Sequence, residues 1–182
     1  ARDEGAKAWQ KLILGIGDDA AAWYGDTSIQ LATVDSLIQD IHFTLGTTSW
    51  EELGWKALAI NLSDIAAMGG LPRYALVSLT LPGHTEVEDV TALCQGMIKL
   101  ARQFGVAIVG GDTNRASIVV IDVFVLGSTR TKQPSLLTRS AAKPGEKIAV
   151  TGYLGGAGAG LVMLKNNLHF DSATTTALRR AF

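Results

Sequence analysis

Four aspartates stand where local backbone geometry, not sheet pairing, would set the direction of a carboxylate. Asp19 follows the turn Gly15-Ile16-Gly17-Asp18, Asp35 closes the run Thr27–Val34, Asp64 sits within Ala59-Ile60-Asn61-Leu62-Ser63-Asp64-Ile65-Ala66-Ala67, and Asp112 follows Gly110-Gly111. Taken singly, an aspartate at a turn has an ordinary use, bonding its own backbone. Asp64 is harder to explain that way, because a lone charge in so apolar a helix stretch is expensive to bury and needs a partner. If the four converge, two carboxylates about 5 Å apart at an effective dielectric near 20 repel by roughly 3 kcal/mol. Such a cluster needs cations. Oxygen-only ligands without a Cys or His set point to a hard ion, and Mg²⁺ is usually held by a few carboxylates together with substrate phosphates. The implied ligand is a metal-bound nucleotide, which small glycines allow close to the backbone.

Familiar phosphate motifs are absent. No G-x-x-x-x-G-K-[ST] occurs, and Gly155-Gly156-Ala157-Gly158-Ala159-Gly160 misses the dinucleotide spacing, so close helix packing is the reading of that segment. Sixteen basic against seventeen acidic residues leave a formal charge of −1, without the basic field that nucleic acid binding needs. The longest apolar run, Ile118 to Leu126, is interrupted by Asp122 and far short of a bilayer span, so no membrane segment is expected. The first residues carry acids and lack a signal-peptide core, and the single cysteine, Cys94, reads as a buried structural thiol; both fit a reducing cytoplasm.

The elements that must position these aspartates follow from pattern. Thr27–Val34 reads as a strand ended by Asp35. Ser49 and Glu52 form a capping box before a helix over about 50–68, which Gly69-Gly70 stops. Tyr74–Leu81 is a second strand. Thr85 and Glu88 suggest another capping box for a helix over about 86–104, closed by Gly105. Val106–Val109 reads as a short buried strand delivering Gly110-Gly111-Asp112, and Ser117–Gly127 as a long β-branched one. Lys147–Gly152 adds a strand before a helix near 157–165. The fold class is α+β: a mixed-sheet domain over residues 1–140, then residues 141–182 as the incomplete beginning of a second α/β domain, too little to close a core. The chain reads as a fragment.

Five ordered motifs, Gly15-Ile16-Gly17-Asp18-Asp19-Ala20-Ala21, Val34-Asp35-Ser36 with His42-Phe43, Lys56 through Gly69, Gly110-Gly111-Asp112-Thr113 and Arg139 through Gly145, together resemble the thiamine-monophosphate kinase family. This resemblance implies an ATP- and Mg²⁺-dependent kinase of thiamine diphosphate biosynthesis, in a superfamily with aminoimidazole ribonucleotide synthetase. It also implies an N-terminal domain that dimerises through its strands, here a homodimer, with nucleotide near the interface. By motif matching, Asp19, Asp35, Asp64 and Asp112 take the family's magnesium-ligand positions, and Thr33 and Val34 the two metal-touching positions before Asp35. Gly111, Asp112 and Arg139 match nucleotide-binding positions, Phe104 one where an aromatic lies near the nucleotide, and His42 a contact to the substrate, thiamine phosphate. Val34 stands where the family usually has Thr, so a metal contact there must use its carbonyl. Asn114 replaces a usual Thr, and Phe104 lacks the hydroxyl of a usual Tyr.

Phosphoryl transfer to a phosphate acceptor needs charge neutralisation and in-line placement more than a strong base, so no catalytic residue is expected beyond the metal and nucleotide ligands. Two rivals remain: a sister-family ATP-dependent synthetase, and a non-catalytic nucleotide-binding or dimerisation fragment.

Overall fold

The computed structural model describes residues 12–14, 18, 20–25, 27–130, 136–150 and 154–182. The chain divides into two compact units, Ala1–Ala141 and Ala142–Phe182. The first holds strands β1 (Leu12–Leu14), β2 (Ala21–Tyr24) and β3 (Ile29–Ile38), helix α1 (Trp50–Ala67), β4 (Leu71–Leu81), helix α2 (Val87–Phe104), β5 (Ala107–Arg115) and β6 (Val120–Ser128). The second holds α3 (Gly156–Lys165) and α4 (Ser172–Ala181).

Helix α1 begins where its cap predicts. The Ser49 hydroxyl accepts from the Glu52 N–H at 3.2 Å, and the Glu52 carboxylate accepts from the Ser49 N–H at 2.9 Å. These reciprocal bonds satisfy two donors that a helix start otherwise leaves open, and such a cap is worth about 1 kcal/mol. The corresponding box at α2 does not form: its N-cap is Glu86, without a side-chain bond. Thr85 is instead held in the preceding turn, its N–H donating to the Pro82 carbonyl at 3.1 Å. Gly105 ends α2 at φ +65°, as expected of a residue without a Cβ.

The six strands form one sheet in the order β1-β2-β3-β6-β4-β5, antiparallel except for the β4–β5 pair, whose crossover is α2. Strand β3 does not stop at Asp35. β6 supplies partners from Gln30↔Ser128 through Ile38↔Val120, so Asp35 is a mid-strand residue opposite Val123. β5 likewise carries Gly110-Gly111-Asp112 inside the strand instead of delivering it to a turn, and as the sheet's edge it is exposed along its whole length, not buried. β6 starts at Val120, three residues later than the pattern suggests, and Lys147–Val150 is not a strand. Residues 151 and 152 of that expected strand lie outside the described residues.

Side-chain alternation gives the sheet two unlike faces. Ile29, Leu31, Thr33 and Leu37 of β3, Ile121, Val123 and Val125 of β6, and Ala75 and Leu79 of β4 are buried on the face covered by the helices. On the other face Val34 is 58% exposed, Tyr74 52% and Leu76 42%. The two helices meet backbone to backbone: a Cβ on Gly54 would lie 1.9 Å from the Leu93 carbonyl oxygen, and one on Gly96 1.9 Å from that of Glu51.

In the second unit, a Cβ on Gly160 would lie 2.4 Å from the Leu178 carbonyl oxygen, so close packing of α3 on α4 explains that glycine. Asp171 caps α4 by accepting from the Thr174 N–H at 2.9 Å, and bonds from Thr174, side chain first, hold its carboxyl below the usual range. Among the described residues no helix is long and apolar enough to cross a membrane.

Candidate metal and nucleotide site

Asp64 has the partner that its apolar surroundings require. Thr33 of β3, 8% exposed, donates its hydroxyl to Asp64 Oδ2 at 2.8 Å across 31 residues of sequence, tying α1 to the sheet. A hydrogen bond to an ionised acceptor is among the stronger kinds, and this one fixes the carboxylate's orientation. Two residues further along β3, Asp35 lies on the same helix-facing side, half-buried. The Val34 side chain points to the opposite, open face, which leaves only its main chain for this side.

Asp112 belongs to that opposite face. The register runs Ser36↔Asp122, Asp122↔Ser78 and Ser78↔Asp112, so these four residues form one row across β3, β6, β4 and β5. Within the row the Ser36 hydroxyl donates to Asp122. The helix-side row beside it runs Asp35↔Val123, Val123↔Val77 and Val77↔Gly111. Three strand spacings of about 4.8 Å therefore separate Asp35 from Gly111, roughly 14 Å. Gly111 has a structural reason of its own, since a Cβ there would lie 1.8 Å from the Val77 carbonyl oxygen.

A pocket of about 540 Å³ opens between α2 and the β4–β5 pair, its walls including Val77, Met97, Ile108, Gly111 and Thr113. Cys94 also lines it and is only half-buried, where the helical pattern suggested a buried thiol. Phe104 is exposed on the last turn of α2, 57% accessible, just before β5 begins.

His42 lies in the connection from β3 to α1. Its Nδ1 accepts from the Ile38 N–H at 3.1 Å, and its carbonyl accepts from Lys56 Nζ at 3.2 Å. An imidazole that accepts at Nδ1 carries its proton on Nε2, leaving that N–H to point outward as a donor. The Arg139 N–H donates to both carboxylate oxygens of Asp18, at 3.4 and 3.3 Å, which joins two of the quoted motifs across 121 residues. Asp18 is thus a site-adjacent residue that motif reading passed over, though the doubled Asp18-Asp19 was its signal. Asp19 lies outside the described residues.

The structure joins Thr33 to Asp64 and Arg139 to Asp18 and puts Asp35 on the same sheet face as Thr33, while the strand register puts the Asp112 side chain on the other face. Among the described residues no three His, Cys, Asp or Glu side chains are grouped closely enough to hold an ion. The donor chemistry nevertheless fits a hard divalent cation. Every candidate ligand is an oxygen, and one carboxylate is already oriented by a hydroxyl, so the coordination left open falls to water, phosphate oxygens or groups beyond this set.

The N-terminal domain of the AIR synthase related proteins matches residues 17–129, which carry β2 through β6 and both helices of the first unit, and the chain belongs to that family. Within it, the similarity runs to the thiamine-monophosphate kinases. The Bacillus subtilis enzyme of that name is 42% identical over 153 residues, covering 83% of this chain and 46% of its own length. The Pyrococcus horikoshii one is 41% identical over 140 residues, covering 77% and 44%. Among solved structures, AaThiL complexed with AMPPCP and TMP superposes with a TM-score of 0.83 at 31% identity, covering 99% of this chain and 56% of that one. The chain spans about half the length of the curated relatives it matches.

Proposed function

We propose that this chain is the nucleotide- and metal-binding portion of a kinase that transfers the γ-phosphoryl group of ATP to thiamine phosphate, yielding thiamine diphosphate and ADP. The observation that carries this reading is its likeness, at 31% identity and over nearly its whole length, to a structure complexed with AMPPCP and TMP. AMPPCP is an ATP analogue, so a triphosphate and a phosphate acceptor are the ligands this fold would hold. Residues 1–140 are read as the ATP, Mg²⁺ and dimerisation domain and 141–182 as the beginning of the C-terminal domain.

In this reading Asp35, Asp64, Thr33, the Val34 carbonyl and Asp19 would hold Mg²⁺, which when bound would neutralise the charge of the phosphates; the resemblance adds Asp112, which the strand order puts on the opposite face of the sheet. Gly111, Asp112, Arg139 and Phe104 contact the nucleotide. The exposed Phe104 face and the start of β5 suit the base, while Asp112 lies five residues along β5, about 17 Å at a strand's rise, at the phosphate end. The Nε2–H of His42 donates to the phosphate of the acceptor. An acceptor oxygen attacks the γ-phosphorus in line as the bond to the β–γ bridging oxygen breaks. Because that oxygen is anionic at neutral pH, the site need only orient it. The open sheet face with Val34, Tyr74 and Leu76, and the unpaired edge β5, support a homodimer that covers both.

A second reading is a binding and dimerisation module without catalysis. One assay tests both. The 182-residue chain, and the same chain extended by the C-terminal half of a related kinase, are incubated with ATP, Mg²⁺ and thiamine phosphate. Thiamine diphosphate from the extended form alone assigns the module role to this part, and none from either form refutes the kinase.

A further inference from the structure

Residues 137–141 tie two distant parts of the first unit together. The Leu137 N–H donates to the Met68 carbonyl at 3.5 Å, just past the end of α1, and a Cβ on Gly69 would lie 3.5 Å from the Leu137 side chain. The Ala141 N–H donates to the Thr138 carbonyl at 3.1 Å, closing a turn with Arg139 as its second residue. That bond uses the carbonyl of the first residue and the N–H of the fourth, so the Arg139 N–H has no acceptor inside the turn. Asp18 supplies one: its two oxygens accept from that N–H at 3.4 and 3.3 Å, across 121 residues of sequence. A donor on an ionised carboxylate makes a charge-assisted bond, among the stronger kinds. Leu136 packs against the core, but Leu137, Arg139 and Ser140 are exposed, so hydrogen bonds more than packing set where the Arg139 main chain lies. Asp18 also directly precedes Asp19. One short stretch of chain therefore carries a candidate metal ligand and the anchor of the arginine segment.

We infer that Asp18 is a positioning residue for Arg139: it fastens the Arg139 main chain to the stretch that carries Asp19, so that the cation offered to a nucleotide and a ligand of the nucleotide's metal are held at one separation. The inference rests on the reading of Arg139 as a nucleotide contact and adds a residue that acts through it. A guanidinium ends a long, rotamer-rich stem, so fixing the main chain at its base narrows the volume it samples and lessens the ordering that binding requires. In this role Asp18 needs no contact of its own with nucleotide or metal.

The test is a calorimetric titration of the 182-residue chain with AMPPCP in the presence of Mg²⁺, with urea unfolding of each variant alongside. Asp18→Ala should raise the AMPPCP Kd about tenfold with an unchanged urea midpoint, the size expected for one hydrogen bond to a charged group, and Asp18→Asn, which keeps an acceptor for the N–H, should stay within about threefold of the parent. In an Arg139→Ala background Asp18→Ala should cost nothing further, because a residue that acts through another has no effect once that side chain is gone. An equal loss in both backgrounds overturns the inference, since Asp18 then acts on the nucleotide or its cation independently. Asp18→Ala that binds like the parent while Arg139→Ala binds more weakly overturns this inference alone and leaves the contact reading standing. Equal weakening by Ala and Asn, with a lowered urea midpoint, makes the bond merely structural and also overturns it. Should Arg139→Ala bind like the parent, or the parent take up no AMPPCP, both the inference and the assignment of Arg139 fall.

Discussion

Substituting Gly96 by alanine sets two effects of opposite sign against each other, and the structure says which is larger. In a helix interior, Gly→Ala stabilises by about 1 kcal/mol through backbone entropy. At Gly96 the new Cβ would lie 1.9 Å from the Glu51 carbonyl oxygen and 3.0 Å from the Trp55 nitrogen. Ordinary carbon–oxygen contacts begin near 3.3 Å, so α1 and α2 would have to part by roughly 1.4 Å. No side chain can rotate away, because both obstacles are main-chain atoms of a helix pinned at its start by the Ser49–Glu52 box. Overpacking costs about 1–3 kcal/mol, and a clash with backbone belongs at or above the top of that range, so the net change is a loss of about 2 kcal/mol or more. For a unit of this size, that lowers the melting temperature by about 6 °C or more. Far-UV circular dichroism during heating and urea unfolding measures it. Gly158→Ala is the control: α3 leaves nothing within 4 Å of a Cβ there, and stability of the second unit should rise slightly. A Gly96→Ala protein more stable than its parent would refute the reasoning, since propensity would then outweigh contact. Gly54→Ala should behave alike, and the double variant should lose less than the sum, because one separation of the helices relieves both clashes.

Other consequences are equally specific. Asp64→Asn keeps an oxygen that can accept from Thr33 but removes the charge, so the urea midpoint should move little while calorimetric titration with Mg²⁺ and AMPPCP shows at least a tenfold loss, as expected for a ligand; unchanged titration argues against Asp64 as a ligand. Gly111→Ala should disrupt the β4–β5 edge, because its Cβ meets the Val77 carbonyl oxygen, and hydrogen exchange in β5 should rise above the parent's while that in β3 stays unchanged. The Glu52 carboxyl is held below its ordinary 4.5 by the Ser49 N–H first and the Ser49 hydroxyl second. A depressed folded-state value means the ionised form is favoured on folding, so the stabilisation is complete above 4.5 and fades as pH falls through the folded value. The stability gap between the parent and Glu52→Gln should therefore shrink between about pH 7 and about pH 3, and a constant gap would contradict the cap's role.

What could be read from the residues in order was whatever depends on neighbours in order. Ser49 and Glu52 are three apart, and their box forms; Gly105 directly follows its helix and takes the left-handed conformation. The aspartates were legible as hard-ion ligands because that chemistry resides in the residue type, and the five motifs were legible as a family likeness. Tertiary structure decided the rest. Asp35 became mid-strand because β6, some ninety residues later, supplies partners through Ile38. Gly54 and Gly96 carry no sequence signal, since each matters only where two helices cross. Thr33 finds Asp64 across 31 residues, and strand order alone puts Asp112 on the face opposite Asp35. Local pattern sets a helix cap because its bonds close within one turn; the side of the sheet on which a carboxylate stands is set by pairings distant in sequence, which no local pattern contains.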